Sequence, residues 1–222
     1  MNRLSDHTQL PWENIYTVLL DMDGTLLDLH FDNYFWRDYM PARYAQSRGL
    51  DVPTAQRVLA PLFRRHESTL NWYCVDFWSR ELQLDIDTLK REIKQFIAVK
   101  PGALAFLTRL RHAGKRTVLV TNAHPKSLAL KLEHTRLDNY LDEIVSAHEL
   151  GLPKEHTSFW HALRQRYEFE PAHTLLIDDN LSALRSARAY GIGYLLAVRR
   201  PSSRDPSISQ GEFPAMEEFD AL

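Results

Sequence analysis

The sequence predicts an α/β protein built on a parallel sheet, and three observations support this fold class. The first apolar segment, residues 15–20, is short, rich in β-branched residues and ends abruptly in acid, as expected of a strand that is buried on both faces. From residue 98 onward, similar segments alternate with helical patterns, which is the order of a parallel sheet with helices on both faces. Residues 31–97, in contrast, contain only helical patterns and therefore indicate an all-helical insertion.

Element boundaries follow from apolar periodicity and from capping residues. A helix reaching Arg48 is expected to be capped by Asp32 or Asn33 and interrupted at Pro41, and a second helix is expected to begin after Asp51. Further helices are predicted at residues 70–82, 87–98, 101–114, 125–137, 157–167 and 181–190, and further strands at 116–121, 143–147, 173–177 and 192–198. Residues 201–214 are predicted to form a loop, and residues 215–222 a final half-turn.

Composition and charge exclude several function classes. With 44% hydrophobic and 25% charged residues, the 222-residue chain is ordinary for a globular protein. Its 27 basic and 29 acidic residues give a net charge of −2, so no global field would recruit nucleic acid or an acidic membrane surface. Apolar runs fall short of the ~20 residues that span a bilayer, and the polar first fourteen residues do not resemble a signal peptide. We expect a cytoplasmic monomer or small homo-oligomer.

The numbers and spacing of cysteine and histidine residues also limit which disulfides and metal sites the chain can form. A single cysteine, Cys74, excludes an intrachain disulfide framework and fits a reducing compartment. The ten histidines show none of the spacings typical of zinc motifs, so the sequence does not predict a zinc site.

Two carboxylates follow the first predicted strand. Asp21 and Asp23 are two residues apart, so in extended backbone their side chains point the same way, and Gly24 permits a sharp turn after them. Ligands of open α/β sheets bind outside the carboxyl ends of the strands, where paired carboxylates suit a metal, a phosphate or both. The alternative is a solvated, Asp-rich turn.

Three later segments reduce the weight of that alternative. A second apolar strand ends at Thr121 and Asn122, a loop ends at Lys154, and a third strand ends at Asp178 and Asp179. In this order the four segments resemble the motif pattern of the haloacid dehalogenase (HAD) superfamily over essentially the whole chain. The resemblance implies a Rossmann-like core, residues 1–30 and 98–222, and a helical cap of the C1 type, residues 31–97, between the first and second motifs.

The same resemblance implies a phosphoryl-transfer site. Asp21 is the expected nucleophile, forming an aspartyl-phosphate, and Asp23 is the expected acid and base for the leaving alcohol and the attacking water. Lys154 is expected to neutralise charge and Thr121 to hold a phosphoryl oxygen. Further phosphate-binding residues are expected at the first two motifs, namely Gly24, Thr25 and Asn122.

A Mg²⁺ cofactor is part of the implied mechanism. Asp21, the carbonyl of Asp23 and Asp179 are the expected ligands, and Asp178 is either a second carboxylate ligand or an outer-shell residue that orients the others. By residue type alone, Asp178 and Asp179 also fit acids at a helix N-terminus, and Lys154 fits an exposed loop lysine.

Substrate recognition is expected to fall to the cap, which is rich in aromatic residues. Most of these residues, including Tyr73, follow i, i+4 spacing and are predicted to form cap core, whereas Trp36, Asn71 and Trp72 fall outside those stripes and are expected to face the cleft.

Asp-Asn-Tyr-Phe-Trp, Thr-Leu-Asn-Trp-Tyr-Cys and Thr-Asn-Ala-His-Pro are similar to segments of the bacterial purine (GMP/IMP) 5′-nucleotidase branch. That resemblance implies a small-molecule phosphomonoester as partner and places His124, Lys131 and His134 near the site. Two alternatives stay open: a sugar-phosphate or phosphoglycolate-type phosphatase or phosphomutase, and a non-catalytic phosphate-binding protein.

Overall fold

A computed structural model describes residues 10–208 and 211–222, and its centre is a six-stranded sheet in the order β3-β2-β1-β4-β5-β6. All neighbouring strands pair in parallel. The strands are β1 (Thr17–Leu20), β2 (Arg116–Thr121), β3 (Glu143–Ser146), β4 (Thr174–Asp178), β5 (Tyr194–Val198) and β6 (Ala215–Met216). The predicted α/β fold class is therefore confirmed.

Helices cover both faces of this sheet because its strands are apolar on both sides. In β1, Val18 and Leu20 pack into one hydrophobic cluster and Leu19 packs into the other. The first cluster is closed by α7 (Ala103–His112) and α8 (Pro125–Thr135), and the second by α10 (Thr157–Arg166) and α11 (Leu181–Tyr190). A short α9 (Ala147–Leu150) follows β3.

The segment between β1 and β2 is helical, as predicted. Its helices are α1 (His30–Tyr34), α2 (Met40–Arg48), α3 (Val52–His66), α4 (Leu70–Tyr73), α5 (Val75–Leu82) and α6 (Ile86–Glu92), followed by a 3₁₀ turn at Lys94–Phe96. The interruption expected near Pro41 is a π-helical turn, Phe35–Tyr39, that connects α1 to α2. Asp51 caps α3 by accepting a hydrogen bond from Thr54 N, as the sequence indicated.

The predicted cap of the first helix is wrong. Neither Asp32 nor Asn33 precedes the helix, because α1 already begins at His30. Asp28 satisfies that helix start instead, since its Oδ1 accepts a hydrogen bond of 2.9 Å from His30 N. Asp32 is thereby free to turn towards the cavity, where its carboxylate pairs with two lysines.

The C-terminal segment differs from the predicted half-turn. Ala215 and Met216 add a sixth parallel strand beside β5, and a 3₁₀ turn at Phe219–Ala221 follows. Phe219 is fully buried against Phe106 of α7, with ring centroids 5.0 Å apart. A two-residue strand has too little periodicity to be found from sequence.

Of the helices that the structure describes, none is long and apolar enough to cross a membrane.

Candidate active site

The sheet order brings three of the four motifs to one edge. β1 lies between β2 and β4, so Asp21, Thr121 and Asp178 meet at the carboxyl ends of three adjacent strands. This is the position at which open α/β sheets bind ligands. Lys154, which follows α9, reaches into the same place and is 2% exposed.

Lys154 holds two of these carboxylates. Its Nζ lies 2.5 Å from Asp21 Oδ1 and 2.7 Å from Asp178 Oδ2. Burial opposes charging of Lys154, but the adjacent Asp178 and Asp21 outweigh burial and raise the pKa of the ammonium group. The lysine is therefore a fixed positive charge beside Asp21, and not the exposed loop lysine that its residue type alone suggested.

Asp21, Asp178 and Asp179 form a carboxylate cluster in which one oxygen of each side chain lies within 4.8 Å of the other two. Burial, followed by repulsion from Asp21 and Asp178, raises the pKa of Asp179 well above its ordinary value. Burial raises the pKa of Asp21 to about 6. Asp21 Oδ2 is buried and has no hydrogen-bond partner among the described residues. Hard oxygen donors, mutual repulsion and an unpartnered buried oxygen together fit a divalent cation such as Mg²⁺.

Gly24 makes the turn that this cluster requires. Its φ is +91°, a left-handed conformation that favours glycine, and a Cβ at this position would lie 2.4 Å from Asp179 Oδ2. The turn therefore carries no side chain, and Asp179 approaches the first motif closely. Thr25 follows it, fully buried, and its hydroxyl oxygen has no partner among the described residues.

Glu155 links the second motif, the fourth motif and the helical segment. Its carboxylate accepts hydrogen bonds from Asn122 Nδ2 at 2.9 Å, from Asn180 Nδ2 at 2.9 Å and from the Tyr73 hydroxyl at 2.6 Å. Asn122 Oδ1 in turn accepts from Lys154 N at 3.0 Å. These bonds fix the loop after β2 relative to Lys154. The sequence did not indicate Glu155, because only its position next to Lys154 set it apart from surface glutamates.

A second charged cluster lines the same cavity. Lys131 Nζ lies 2.7 Å from Asp23 Oδ1 and 2.6 Å from Asp32 Oδ2, and Lys90 Nζ lies 2.7 Å from Asp32 Oδ1. Burial raises the pKa of Asp23 to about 6, although Lys131 opposes that shift. For Asp32 the two lysines outweigh burial and lower the pKa. Asp23 is therefore oriented by Lys131, which the second resemblance had placed near the site.

A cavity of about 540 Å³ joins both clusters to the aromatic residues of the helical segment. This volume is in the range of small-molecule sites. The apolar wall consists of aromatic rings packed edge to face, with Trp36 and Phe63 centroids 5.8 Å apart and Phe63 and Trp72 centroids 6.3 Å apart. The aromatic residues lining the cavity are Trp36, Phe63, Trp72, Tyr73 and Trp78.

Of the three residues predicted to face the cleft, Trp36 and Trp72 line the cavity and Asn71 does not. Asn71 is solvent-exposed and is not among the described residues that line the cavity, because the single turn of α4 directs Trp72 inward and Asn71 outward. Tyr73, expected in the cap core, faces the cavity since the chain turns at Cys74. His124 caps α8 beside the cavity, and His134 is exposed.

Paired carboxylates and a buried lysine at the carboxyl edge of a doubly wound sheet form the polar site of an α/β enzyme. Comparison with known proteins agrees. The family model of the haloacid dehalogenase-like hydrolases matches residues 15–191 of the sequence. The GMP/IMP nucleotidase YrfG of Escherichia coli K12 is 39% identical over 216 residues, which cover 97% of each chain. The chain belongs to the haloacid dehalogenase-like hydrolase family.

Two further comparisons give more distant similarities. The phosphoglycolate phosphatase of Nitrosospira multiformis is 28% identical over 198 residues, covering 83% of this chain and 82% of the relative. The crystal structure of an HAD phosphatase from Thermococcus onnurineus superposes with a TM-score of 0.76 at 20% identity, covering 93% of this chain and 95% of that one.

Proposed function

We propose that this hydrolase is a Mg²⁺-dependent phosphatase of purine nucleoside 5′-monophosphates. The observation that carries the proposal is a single cavity lined both by Asp21, Asp23 and Lys154 and by indole rings. The similarity to a GMP/IMP nucleotidase over 97% of both chains supports the same substrate class. A nucleotide substrate and a lone free cysteine also agree with the cytoplasmic location that the composition predicts.

In the proposed reaction Asp21 is the nucleophile. Lys154 holds Asp21 Oδ1, while Oδ2 has no partner among the described residues. A carboxylate oxygen attacks phosphorus, the bond to the ribose 5′-oxygen breaks, and water then hydrolyses the resulting aspartyl-phosphate. Bound Mg²⁺ supplies charge neutralisation for the phosphoryl group. Asp178 and Asp179 are the proposed side-chain ligands together with Asp21, and the carbonyl of Asp23 is the proposed backbone ligand.

Asp23 is the proposed acid and base. Burial raises its pKa to about 6, so the cation-free carboxyl group exchanges a proton near neutral pH. It protonates the departing 5′-oxygen and then accepts a proton from the attacking water. Lys131, 2.7 Å from Asp23 Oδ1, fixes the position of that carboxyl group. Thr121 at the end of β2 and Asn122 just after it are the proposed contacts to the phosphoryl oxygens, together with Gly24 and Thr25 of the first motif.

The aromatic wall is the proposed base-recognition surface. Indole faces stack on any nucleobase, and a purine offers a larger ring face than a pyrimidine. A phosphoglycolate-sized substrate, in contrast, would leave most of this wall uncovered. The phosphatase and phosphomutase alternatives share every core residue, so only the leaving-group side of the cavity separates them from a nucleotidase.

A panel of phosphomonoesters assayed with Mg²⁺ tests this proposal. GMP, IMP and AMP are compared with UMP, phosphoglycolate, hexose phosphates and p-nitrophenyl phosphate. We expect the highest kcat/KM for purine monophosphates, with release of inorganic phosphate. A preference for phosphoglycolate or a hexose phosphate would overturn the nucleotidase proposal, and absence of turnover on the whole panel would favour a non-catalytic phosphate-binding protein.

A further inference from the structure

Three side chains with sulfur or nitrogen donor atoms meet beside the cavity, outside the carboxylate cluster. Cys74 lies at the corner between α4 and α5, His124 lies just before α8, and His148 lies in α9. One donor atom from each residue lies within 4.8 Å of the other two. The three residues are separated by tens of residues in sequence, which explains why no zinc-like spacing appears in the chain.

His148 has the environment of a metal ligand. Its Nε2 is buried and has no hydrogen-bond partner in the described chain, and the ring lies beside the backbone of Asn122. Metal-bound histidines commonly use one ring nitrogen for the metal and anchor the other on a backbone carbonyl.

His124 and Cys74 are held only weakly by their present partners. Lys126 N lies 3.4 Å from His124 Nδ1, and Asp76 Oδ2 lies 3.7 Å from His124 Nε2, a separation too long for a strong hydrogen bond. Cys74 Sγ accepts a hydrogen bond of 3.3 Å from Phe77 N at the start of α5. A metal-bound thiolate sulfur still accepts such a bond, so the start of α5 stays capped when the sulfur binds a metal.

We propose that Cys74, His124 and His148 form a second metal site, selective for Zn²⁺-class ions and separate from the all-oxygen site at Asp21. One thiolate and two imidazoles are ligands that Zn²⁺ prefers and Mg²⁺ does not. Bonds of about 2.0–2.3 Å put neighbouring tetrahedral ligands about 3.3–3.7 Å apart, so the donors must approach one another by at most about 1.5 Å. The thiol proton passes to solvent as the sulfur–metal bond forms, and water completes the fourth position.

The site would join the helical segment to the catalytic core. Cys74 belongs to the α4–α5 corner and is the neighbour of cavity-lining Tyr73, whereas His124 and His148 follow β2 and β3 of the sheet. Opening of a lid for product release requires these parts to separate. An ion bound to all three residues therefore keeps the α4–α5 corner attached to the core. It would slow turnover without occupying the phosphate site.

Co²⁺ spectroscopy of the full chain in saturating Mg²⁺ tests the site directly. Because the chain has one cysteine, a thiolate-to-cobalt charge-transfer band reports on Cys74 alone. We expect the band at one equivalent of Co²⁺, with visible bands of tetrahedral intensity, and its displacement by Zn²⁺. Absence of the band, or a band with octahedral visible intensity, would overturn the proposal. The readout does not depend on activity, so it stands apart from the proposed nucleotidase function.

Matched variants locate the ligands. Cys74→Ser should abolish the charge-transfer band while keeping the α5 cap, since a serine hydroxyl also accepts from Phe77 N. His148→Gln should weaken Co²⁺ binding by more than the roughly 10–100-fold that loss of an outer-shell partner costs. His112→Gln, at an exposed histidine of α7, should change nothing. If His148→Gln retains full affinity while its melting temperature is that of the unmodified chain, His148 is not a ligand.

Turnover of p-nitrophenyl phosphate tests the consequence. In saturating Mg²⁺, a low concentration of Zn²⁺ should lower the kcat of the unmodified chain. Cys74→Ser should resist this inhibition, and without Zn²⁺ its kcat should equal that of the unmodified chain. Equal inhibition of both proteins would place the inhibitory Zn²⁺ at the Asp21 cluster and overturn the proposed effect on turnover.

Discussion

At the residue scale, the two oxygens of Asp21 lie in different environments. Oδ1 is fixed by Lys154 at 2.5 Å, and Oδ2 is buried without a partner among the described residues. An unpaired buried oxygen costs free energy unless something binds it. A phosphoryl group or a cation removes that cost, so the arrangement stabilises the ligand-bound state more than the free one.

Replacing Asp21 by Asn is expected to lower kcat by more than about a thousandfold, because an amide keeps the shape of the side chain but is a poor nucleophile. The measurement is release of inorganic phosphate, with circular dichroism to confirm the fold. Asp138→Asn, at an exposed position, is the matched control and should keep full activity. Substantial turnover by pure Asp21→Asn would remove Asp21 from the nucleophile role.

Replacing Asp23 by Asn should depend on the leaving group. Loss of general acid catalysis costs about 10²–10⁴-fold for an alkoxide such as the ribose 5′-oxygen, whereas nitrophenolate leaves without protonation. The ratio of the two rates in the same preparation is the measurement. Equal losses on both substrates would argue that Asp23 acts through its contact with Lys131 and not through proton transfer.

At the element scale, the bounds of strands and of the helices packed beside them were predictable from the sequence, whereas sharp turns between short helices were not. β2 and α11 have the predicted bounds because their apolar periodicity is complete and their ends carry hydroxyl, Asn or Gly residues. The break at Cys74 was missed, since no Gly or Pro marks it, and it is the break that directs Tyr73 into the cavity. Short helices such as α4 have too few residues for periodicity to decide which side faces inward.

The orientation of α4 leads to a prediction. Trp72→Ala should weaken nucleotide binding by about 1–3 kcal/mol, the contribution typical of a stacked base, while the rate on acetyl phosphate stays unchanged. Trp36→Ala should behave in the same way. Asn71→Ala is the matched control: its side chain is exposed beside Trp72, so neither substrate should be affected.

Thermal melting of each variant separates binding from packing. A general packing defect would lower the melting temperature and reduce the rate on both substrates alike. Such parallel losses for both tryptophan variants would mean that the indoles only support the wall, and base recognition would then have to lie elsewhere in the cavity.

At the scale of the whole molecule, motif order predicted which strand ends would meet, but not the side chains that connect them. Asp21, Thr121, Lys154 and Asp178 occupy the predicted edge because parallel strands align their carboxyl ends. The contacts of Glu155 and Lys90 and the approach of Cys74 to two histidines were not predictable, since each joins residues far apart in sequence. The sheet also brings Asp21, Asp178 and Asp179 close enough to repel one another, and this repulsion is a property of the fold.

That repulsion predicts how Mg²⁺ changes stability. A ligand that binds only the folded state at 100 times its Kd adds about 2.7 kcal/mol to the free energy of unfolding, or about 5–10 °C in a domain of this size. We therefore expect EDTA to lower the melting temperature of the unmodified chain and to abolish turnover.

Asp179→Asn removes one of the three repelling carboxylates. In EDTA this variant should therefore melt at a higher temperature than the unmodified chain, while its gain in melting temperature from Mg²⁺ should be smaller. Cys74→Ser should keep the full gain, because Mg²⁺ does not favour thiolate ligands. A melting temperature that is the same with EDTA and with Mg²⁺ would contradict a cation site at Asp21, whatever the substrate of the enzyme.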